Sequence, residues 1–212
     1  LESPAPVPAQ ANTATETGIG ALLRPPLLGR LSLLGAIWFV YYVGNYGWLT
    51  LAPDLFSKHG FSLQQSIGSL AITGLGCVGG ALAAACTSDR SDRRRTAAAL
   101  AGVWALTLAA IGFYASTWTI PVLGLVASFT IGFFIPVLYT ITGENFPTRV
   151  RATGVALSDG VGHLGGAICG QIILGIAALY GFQGAFLAMA ATGLVAAVGV
   201  GFVRNQTGSA LE

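Results

Sequence analysis

The stretch that decides the fold runs from residue 139 to residue 171 and reads YTITGENFPTRVRATGVALSDGVGHLGGAICGQ. A short charged turn, from Glu144 to Arg151, joins two long apolar segments. The second segment then carries an acid, Asp159, and a base, His163, about one helical turn apart, so their side chains share a face. The rest of the chain must tell us what surrounds these two ionisable groups.

The composition is that of a protein embedded in lipid. Of the 212 residues, 54% are hydrophobic and 8% are charged, whereas a soluble domain carries about one quarter charged residues. Six apolar segments reach the roughly 20 residues that a helix needs to cross a bilayer, and none alternates as a barrel strand does. The sequence therefore predicts an all-α integral membrane protein with six transmembrane helices, at about 31–53, 66–87, 97–115, 119–143, 153–179 and 183–203.

The basic residues predict the orientation. We expect residues 1–30 to form a flexible cytoplasmic linker or tail, residues 31–204 the bundle, and residues 205–212 a cytoplasmic tail. With six spans both termini share one side, and that side collects nine arginines against Lys58 on the other. The positive-inside rule then makes both termini cytoplasmic in a plasma membrane, the inner membrane of a bacterium. The nine are Arg24, Arg30, Arg90, Arg93, Arg94, Arg95, Arg149, Arg151 and Arg204.

The partner that composition predicts is the lipid bilayer. The net charge of +2 does not point to nucleic acid. The three cysteines, Cys77, Cys86 and Cys169, fall within spans and lack metal-ligand spacing, so we interpret them as small apolar residues and predict no metal or cofactor.

The first span is unusually aromatic and polar, with WFVYYVGNYGW at residues 38–48. At 100° per residue, several of these side chains share a face. That face either contacts a ligand or forms an aromatic belt at the membrane interface. The tyrosines and the asparagine lie near mid-membrane, which favours the ligand. The residues on the face are Trp38, Tyr41, Tyr42, Asn45 and Trp48.

The fifth span places its acid and base deep in the membrane. Counted from Thr153, Asp159 lies about 10 Å and His163 about 16 Å inside. A carboxylate there is costly and indicates a functional site. Asp159 can stabilise a protonated His163 and each can exchange a proton, as proton coupling requires. The alternative is that the two groups bond only each other or nearby backbone.

Two enzymatic interpretations have little support. The GxGxxG patterns at residues 74–79 and 160–165 lie inside spans, whereas nucleotide binding needs them between a strand and a helix. Ser158 points about 100° away from its neighbour Asp159, and there is no GxSxG elbow, so a hydrolase is not expected. We predict that the protein is not an enzyme.

Two loops resemble a known family. Residues 88–94, SDRSDRR, resemble the D-R-x-G-R-R signature of the major facilitator superfamily between its eighth and ninth helices, with Ala85 and Asp92 where the signature has glycine. Residues 144–151, ENFPTRVR, resemble the E-x-F-P-T-x-x-R loop after the tenth helix in its sugar-porter, organic-acid:proton symporter and synaptic-vesicle-glycoprotein-like branches. The aromatic first span is similar to their seventh helix.

The resemblance implies the C-terminal six-helix half of a twelve-helix transporter, in which two halves rock about a site at the midplane. It implies that the partner is the N-terminal half of the same transporter or a second copy of this chain. The implied substrate contacts are Trp38, Tyr41, Tyr42, Asn45, Phe133, Phe134 and Tyr139. The implied cytoplasmic gate, which latches the helix ends, is Asp89, Arg90, Arg93, Glu144, Arg149 and Arg151.

Two functions are therefore open. The first is half of a secondary active transporter that moves a small polar or organic solute, such as an organic acid, an aromatic compound or a sugar-like molecule, with protons coupled through Asp159 and His163. The second is a transport-inactive scaffold or sensor on the same fold. The direction of transport and the identity of the solute stay open at this point.

Overall fold

A computed structural model describes residues 19–87 and 91–204, and within these ranges the chain is helical with short connections and no strand. The calls for residues 1–18 and 205–212 lie outside the described residues, as do Asp89 and Arg90. The helices are α1 (Ile19–Leu22), α2 (Leu27–Tyr46), α3 (Ala52–Lys58), α4 (Leu63–Thr87), α5 (Arg93–Tyr114), α6 (Thr119–Glu144) and α7 (Arg151–Phe202).

Two irregular points decide how these helices count as spans. A π-helical turn, Gly47–Leu51, joins α2 to α3 into one helical run. In α7, Gly181 has φ 68° and ψ −164°, a conformation that glycine adopts readily and other residues avoid. This break divides α7 into a first half, 151–180, and a second half, 182–202. Five helical segments are long and apolar enough to cross a membrane in the described chain, and the last contains both halves of α7. The six-helix prediction is confirmed.

Two helices begin earlier than the predicted spans. Helix α5 starts at Arg93 and not at residue 97, because Asp92 caps it: the Asp92 side chain accepts a hydrogen bond from the Arg95 amide at 3.1 Å. Helix α2 starts at Leu27, inside the segment predicted as linker. Arginines that hydropathy assigned to loops therefore belong to helical turns at the ends of the spans.

Glycines allow two of the helices to touch along their length. Helix α4 packs on α6, while α2 and α5 both pack on α7. A Cβ on Gly76 would lie 2.3 Å from the Leu125 carbonyl oxygen, and one on Gly132 would lie 2.1 Å from that of Cys77. Since neither position has room for a side chain, the α4–α6 contact depends on its small residues.

The inside and outside of the bundle match a lipid environment. Trp38, Trp48 and Trp104 are fully buried. Large apolar side chains are exposed on the outer faces of three helices, which suits contact with acyl chains or another apolar surface. They include Ile72, Leu75, Val78 and Leu82 on α4, Val103, Leu106 and Phe113 on α5, and Leu194, Val195 and Val198 on α7.

Candidate functional site

The structure brings the acid and base of α7 together with the aromatic face of α2. The Tyr42 hydroxyl donates a hydrogen bond to Asp159 Oδ1 at 3.0 Å. His163 Nδ1 lies 3.0 Å from the backbone oxygen of Asp159 and 3.5 Å from its Oδ1. Because a carbonyl oxygen only accepts, Nδ1 carries the hydrogen in the shorter contact, which leaves Nε2 to exchange a proton. The Tyr42 and His163 rings meet edge to face, with centroids 5.0 Å apart.

Glycines on α7 make this contact possible. A Cβ on Gly162 would lie 3.0 Å from Tyr42 Cδ2, and one on Gly166 would lie 2.7 Å from Tyr46 Cδ2. Both glycines lie on the face of α7 that carries Asp159. Small residues on this face therefore let the tyrosine rings of α2 approach the carboxylate.

Two further aromatic side chains extend the group toward α6. The Trp38 ring lies 4.6 Å from the Tyr139 ring and 5.1 Å from the Tyr42 ring, centroid to centroid. Trp38 Nε1 donates to Thr142 Oγ1 at 3.0 Å, which fixes the indole between α2 and α6. We call Trp38, Tyr42, Tyr139, Asp159 and His163 the central cluster. It joins a carboxylate, an imidazole and three aromatic rings.

The central cluster is partly open. Tyr139 and His163 are exposed, and Asp159 is partly exposed, on the surface of the described bundle. Counted along α7 from Arg151, Asp159 lies about 12 Å from the start of the helix. The cluster can therefore meet a solute or a second helical bundle near mid-membrane, while Trp38 and Tyr42 line it from inside.

The other implied substrate contacts lie elsewhere. Tyr41 and Asn45 are buried, and the Tyr41 ring contacts Phe134 at 4.3 Å and Trp104 at 5.4 Å, on the side of α2 that packs into the bundle. Phe133 contacts the Phe129 ring at 6.2 Å, on the side of α6 that meets α4. The seven implied contacts therefore divide among three places, and three of them are in the central cluster.

The buried residues around Tyr41 contain polar atoms that lack a hydrogen-bond partner within the described chain. Within residues 19–87 and 91–204, the Tyr41 hydroxyl, the Asn45 amide nitrogen and the Trp104 indole nitrogen are buried without a hydrogen-bond partner. Buried polar groups normally have a partner or an ordered water. An ordered water beside these atoms, or a shift of α2, would give them a hydrogen-bond partner.

A second set of charges lies where the helices end. Arg93 at the start of α5 is ion-paired with Glu144 at the end of α6. Arg151 Nε donates to the backbone oxygen of Gly143 at 3.0 Å, which ties α7 to α6. Arg149 is exposed. Of the implied gate residues that the structure describes, three therefore join helix ends.

Two residues in this region were not among the predicted site residues. Arg30 Nη1 donates to the backbone oxygen of Asn145 at 2.9 Å, and Asn145 Nδ2 donates to the backbone oxygens of Ile141 at 2.8 Å and Arg204 at 3.4 Å. Asn145 thus links the ends of α2, α6 and α7. Its position beside Glu144 in the charged turn was the available signal. We call Arg30, Arg93, Glu144, Asn145 and Arg151 the end network.

One aromatic residue beside the central cluster, Tyr46, was not among the predicted site residues. The Tyr46 ring lies 5.4 Å from the Tyr42 ring and 6.0 Å from the His163 ring. Positions 38, 42 and 46 follow the four-residue spacing of one helix face, which could have identified it. In the part of the chain that the structure describes, no group of three His, Cys, Asp or Glu side chains could hold a metal ion.

Comparison with known proteins decides the family. The family model described as Major Facilitator Superfamily matches residues 33–210, most of the chain. The chain belongs to the major facilitator superfamily. The resemblance carried by the two charged loops is therefore confirmed, and the protein is an integral membrane protein.

Several curated relatives within the superfamily are named as transporters. The chain is 33% identical to the niacin transporter NiaP of Acinetobacter baylyi over 138 residues, 65% of this chain and 31% of the relative. It is 32% identical to a gallate transporter of Pseudomonas putida over 152 residues, 66% and 32%. It is 26% identical to organic cation/carnitine transporter 7 of Arabidopsis thaliana over 166 residues, 74% and 33%. The matched region thus spans about a third of each of these relatives.

Proposed function

We propose that this six-helix bundle is one half of a secondary active transporter that moves a small organic solute by alternating access and couples the movement to protons. The observation that carries the proposal is the central cluster. Its carboxylate lies about 12 Å inside a membrane helix, is open on one side and has a titratable neighbour. Keeping a carboxylate at that depth is costly, which points to a role in transport. The relatives named as transporters support the same function.

The coupling would work through the charge on Asp159. The ionised carboxylate accepts from Tyr42 and attracts a protonated His163, so it is stabilised when the site faces water on one side. Protonation of Asp159 removes its charge, so a protonated His163 can pair with an anionic solute before the two halves rock and enclose the site. A proton bound on one side of the membrane is then released on the other.

We infer that the solute is a small aromatic carboxylate. The rings of Trp38, Tyr42 and Tyr139 offer stacking surfaces, and a protonated His163 offers a positive charge beside them. Niacin and gallate, which two relatives are named for, are both aromatic carboxylates. The rest of the solute site would come from the other half, either the N-terminal six helices of the same transporter or a second copy of this chain.

The orientation belongs to the same proposal. Arg30, Arg93, Arg151 and Arg204 lie at helix ends on the side where both ends of the bundle emerge. The positive-inside rule assigns that side to the cytoplasm of a plasma membrane, the inner membrane in a bacterium. There the end network would act as the cytoplasmic gate.

The test is proton-driven uptake by the native-length protein in liposomes. With an imposed pH gradient and radiolabelled niacin as probe, we expect accumulation that Asp159→Asn abolishes while exchange of niacin across the membrane without a gradient persists. Asp54→Asn is the matched control, because Asp54 forms an exposed ion pair with Lys58 on α3. Unchanged accumulation by Asp159→Asn would overturn the coupling role. Binding of niacin by the native protein without flux would favour a sensor or scaffold.

A further inference from the structure

A second cavity lies far from the central cluster, where α2 begins and α7 ends. It has a volume of about 320 Å³, and its walls come from the first turns of α2, the turn after α6 and the last residues of α7. Arg30, which lines it, is twelve positions before Tyr42 on α2, or about 18 Å along the helix axis. The cavity is therefore separate from the proposed solute site.

Two arginines, Arg30 and Arg204, line this cavity. Arg30 uses one of its five N–H donors on the backbone oxygen of Asn145, which holds the side chain in place and leaves the other donors available. Arg204 contributes its backbone oxygen to Asn145, so its exposed side chain is not needed for that contact. None of the nine residues that line the cavity in the described chain is acidic. The cavity is therefore positively charged and suits an anionic ligand.

The remaining wall of the cavity is apolar. Leu33 and Leu34 line it on α2, and Phe202 and Val203 line it at the end of α7. Phe202 is also widely exposed at the end of the last membrane helix. A small free anion would satisfy the arginines and leave this wall uncovered. A molecule with an anionic head and a hydrocarbon chain would satisfy both.

We propose that this cavity binds the phosphate of an anionic phospholipid from the leaflet on the side of the chain ends. A guanidinium group can bind a phosphate through two parallel hydrogen bonds. Arginines near the membrane surface also attract anionic headgroups. The glycerol and the first part of an acyl chain would lie along Leu33 and Phe202. Because Asn145 connects Arg30 to the backbones of α6 and α7, a bound lipid would stabilise the helix ends that the end network joins.

The experiment measures lipid retained by the native-length protein, using native mass spectrometry after exchange into detergent with added dioctanoyl phosphatidylglycerol. We expect a one-to-one adduct. Arg204→Gln should weaken it about fivefold, as expected from the loss of one arginine near an anionic headgroup, and Arg204→Lys should retain more of it than Gln does. Gly29→Phe should also remove the adduct, because Gly29 lines the cavity and has open space beyond it.

Controls separate this site from general surface charge. Arg95→Gln removes one exposed arginine on the same side, outside the cavity lining, and should keep the adduct. Equal loss in Arg95→Gln, or full retention in both Arg204→Gln and Gly29→Phe, would overturn the proposal. Equal binding of glycerol 3-phosphate or inorganic phosphate would assign the cavity to a free anion and overturn the lipid. Gly29→Phe leaves every side-chain hydrogen bond of the end network intact, so it decides if Arg204→Gln does not fold.

Discussion

The central cluster and the end network both place a carboxylate beside a basic side chain. They differ in how exposed the two groups are and in whether the basic group can lose its charge. In the end network, the side chains of Glu144 and Arg93 are 15% and 14% exposed, and arginine keeps its charge at every pH of interest. In the central cluster, Asp159 is 22% exposed and His163, which can lose its charge, is 53% exposed. The end network thus holds a basic group that keeps its charge, whereas both ionisable groups of the central cluster can change theirs.

The two regions also differ in which groups hold their charged side chains in place. Arg151 and Arg30 donate to backbone oxygens at the ends of helices, so moving those arginines means moving helices. Asp159 is held by a tyrosine hydroxyl and by a histidine on its own helix, so it can gain or lose a proton with small side-chain movements. This difference is the reason for proposing a mechanical role for the end network and a chemical role for the central cluster.

The largest effect on stability should come from breaking the ion pair of the end network. Glu144→Gln removes the carboxylate charge from the mostly buried Arg93–Glu144 ion pair and should lower the free energy of unfolding by about 3 kcal/mol. The measurement is unfolding in mixed micelles by titration with SDS, followed by tryptophan fluorescence. Asp54→Asn, in an exposed ion pair, should cost about 0–1 kcal/mol. Equal effects of the two changes would remove the distinction between the ion pair of the end network and an ordinary surface pair.

A smaller effect, and one on transport, should follow from Tyr42→Phe. The substitution keeps the ring against His163 and removes the hydroxyl that donates to Asp159. A hydrogen bond to a charged group contributes about 1.5–3 kcal/mol, so we expect the initial rate of proton-driven uptake to fall about tenfold or more. Tyr180→Phe removes an exposed tyrosine hydroxyl and should leave the rate as it was. A native rate for Tyr42→Phe would make the hydroxyl contact irrelevant to coupling.

Much of this architecture could be predicted because it depends on local composition. Apolar segments of sufficient length predict spans, and a four-residue spacing places Asp159 beside His163 whatever surrounds them. Two helix starts were predicted too late: Asp92 caps α5 at Arg93, and α2 begins at Leu27, so Arg30 lies within it. Hydropathy assigns arginines to loops, but a helix can continue through them into the membrane interface.

The division of the aromatic face could not be predicted, since it depends on tertiary packing. Tyr41 and Tyr42 are adjacent, and helical periodicity places both toward the protein. The indole of Trp104, on α5, meets Tyr41 and not Tyr42, so one tyrosine belongs to the core and the other to the central cluster. Which neighbour each ring meets follows from how α5 and α6 pack against α2, and no local pattern encodes that.

The smallest effect tests whether the central cluster, like the end network, is held by bonds between helices. Thr142 Oγ1 accepts from Trp38 Nε1, so Thr142→Val leaves a buried indole N–H without that partner and should cost about 1 kcal/mol, typical of a hydrogen bond between membrane helices. Thr140→Val is matched in chemistry and helix, but Thr140 donates to Pro136 within α6, so it should cost less. Both are measured in the same SDS titration as Glu144→Gln. If Thr142→Val costs as much as Glu144→Gln, the centre is as rigid as the ends, and rocking must pivot elsewhere. A small cost would instead leave the Trp38 ring free to shift around a solute while the end network holds the helix ends.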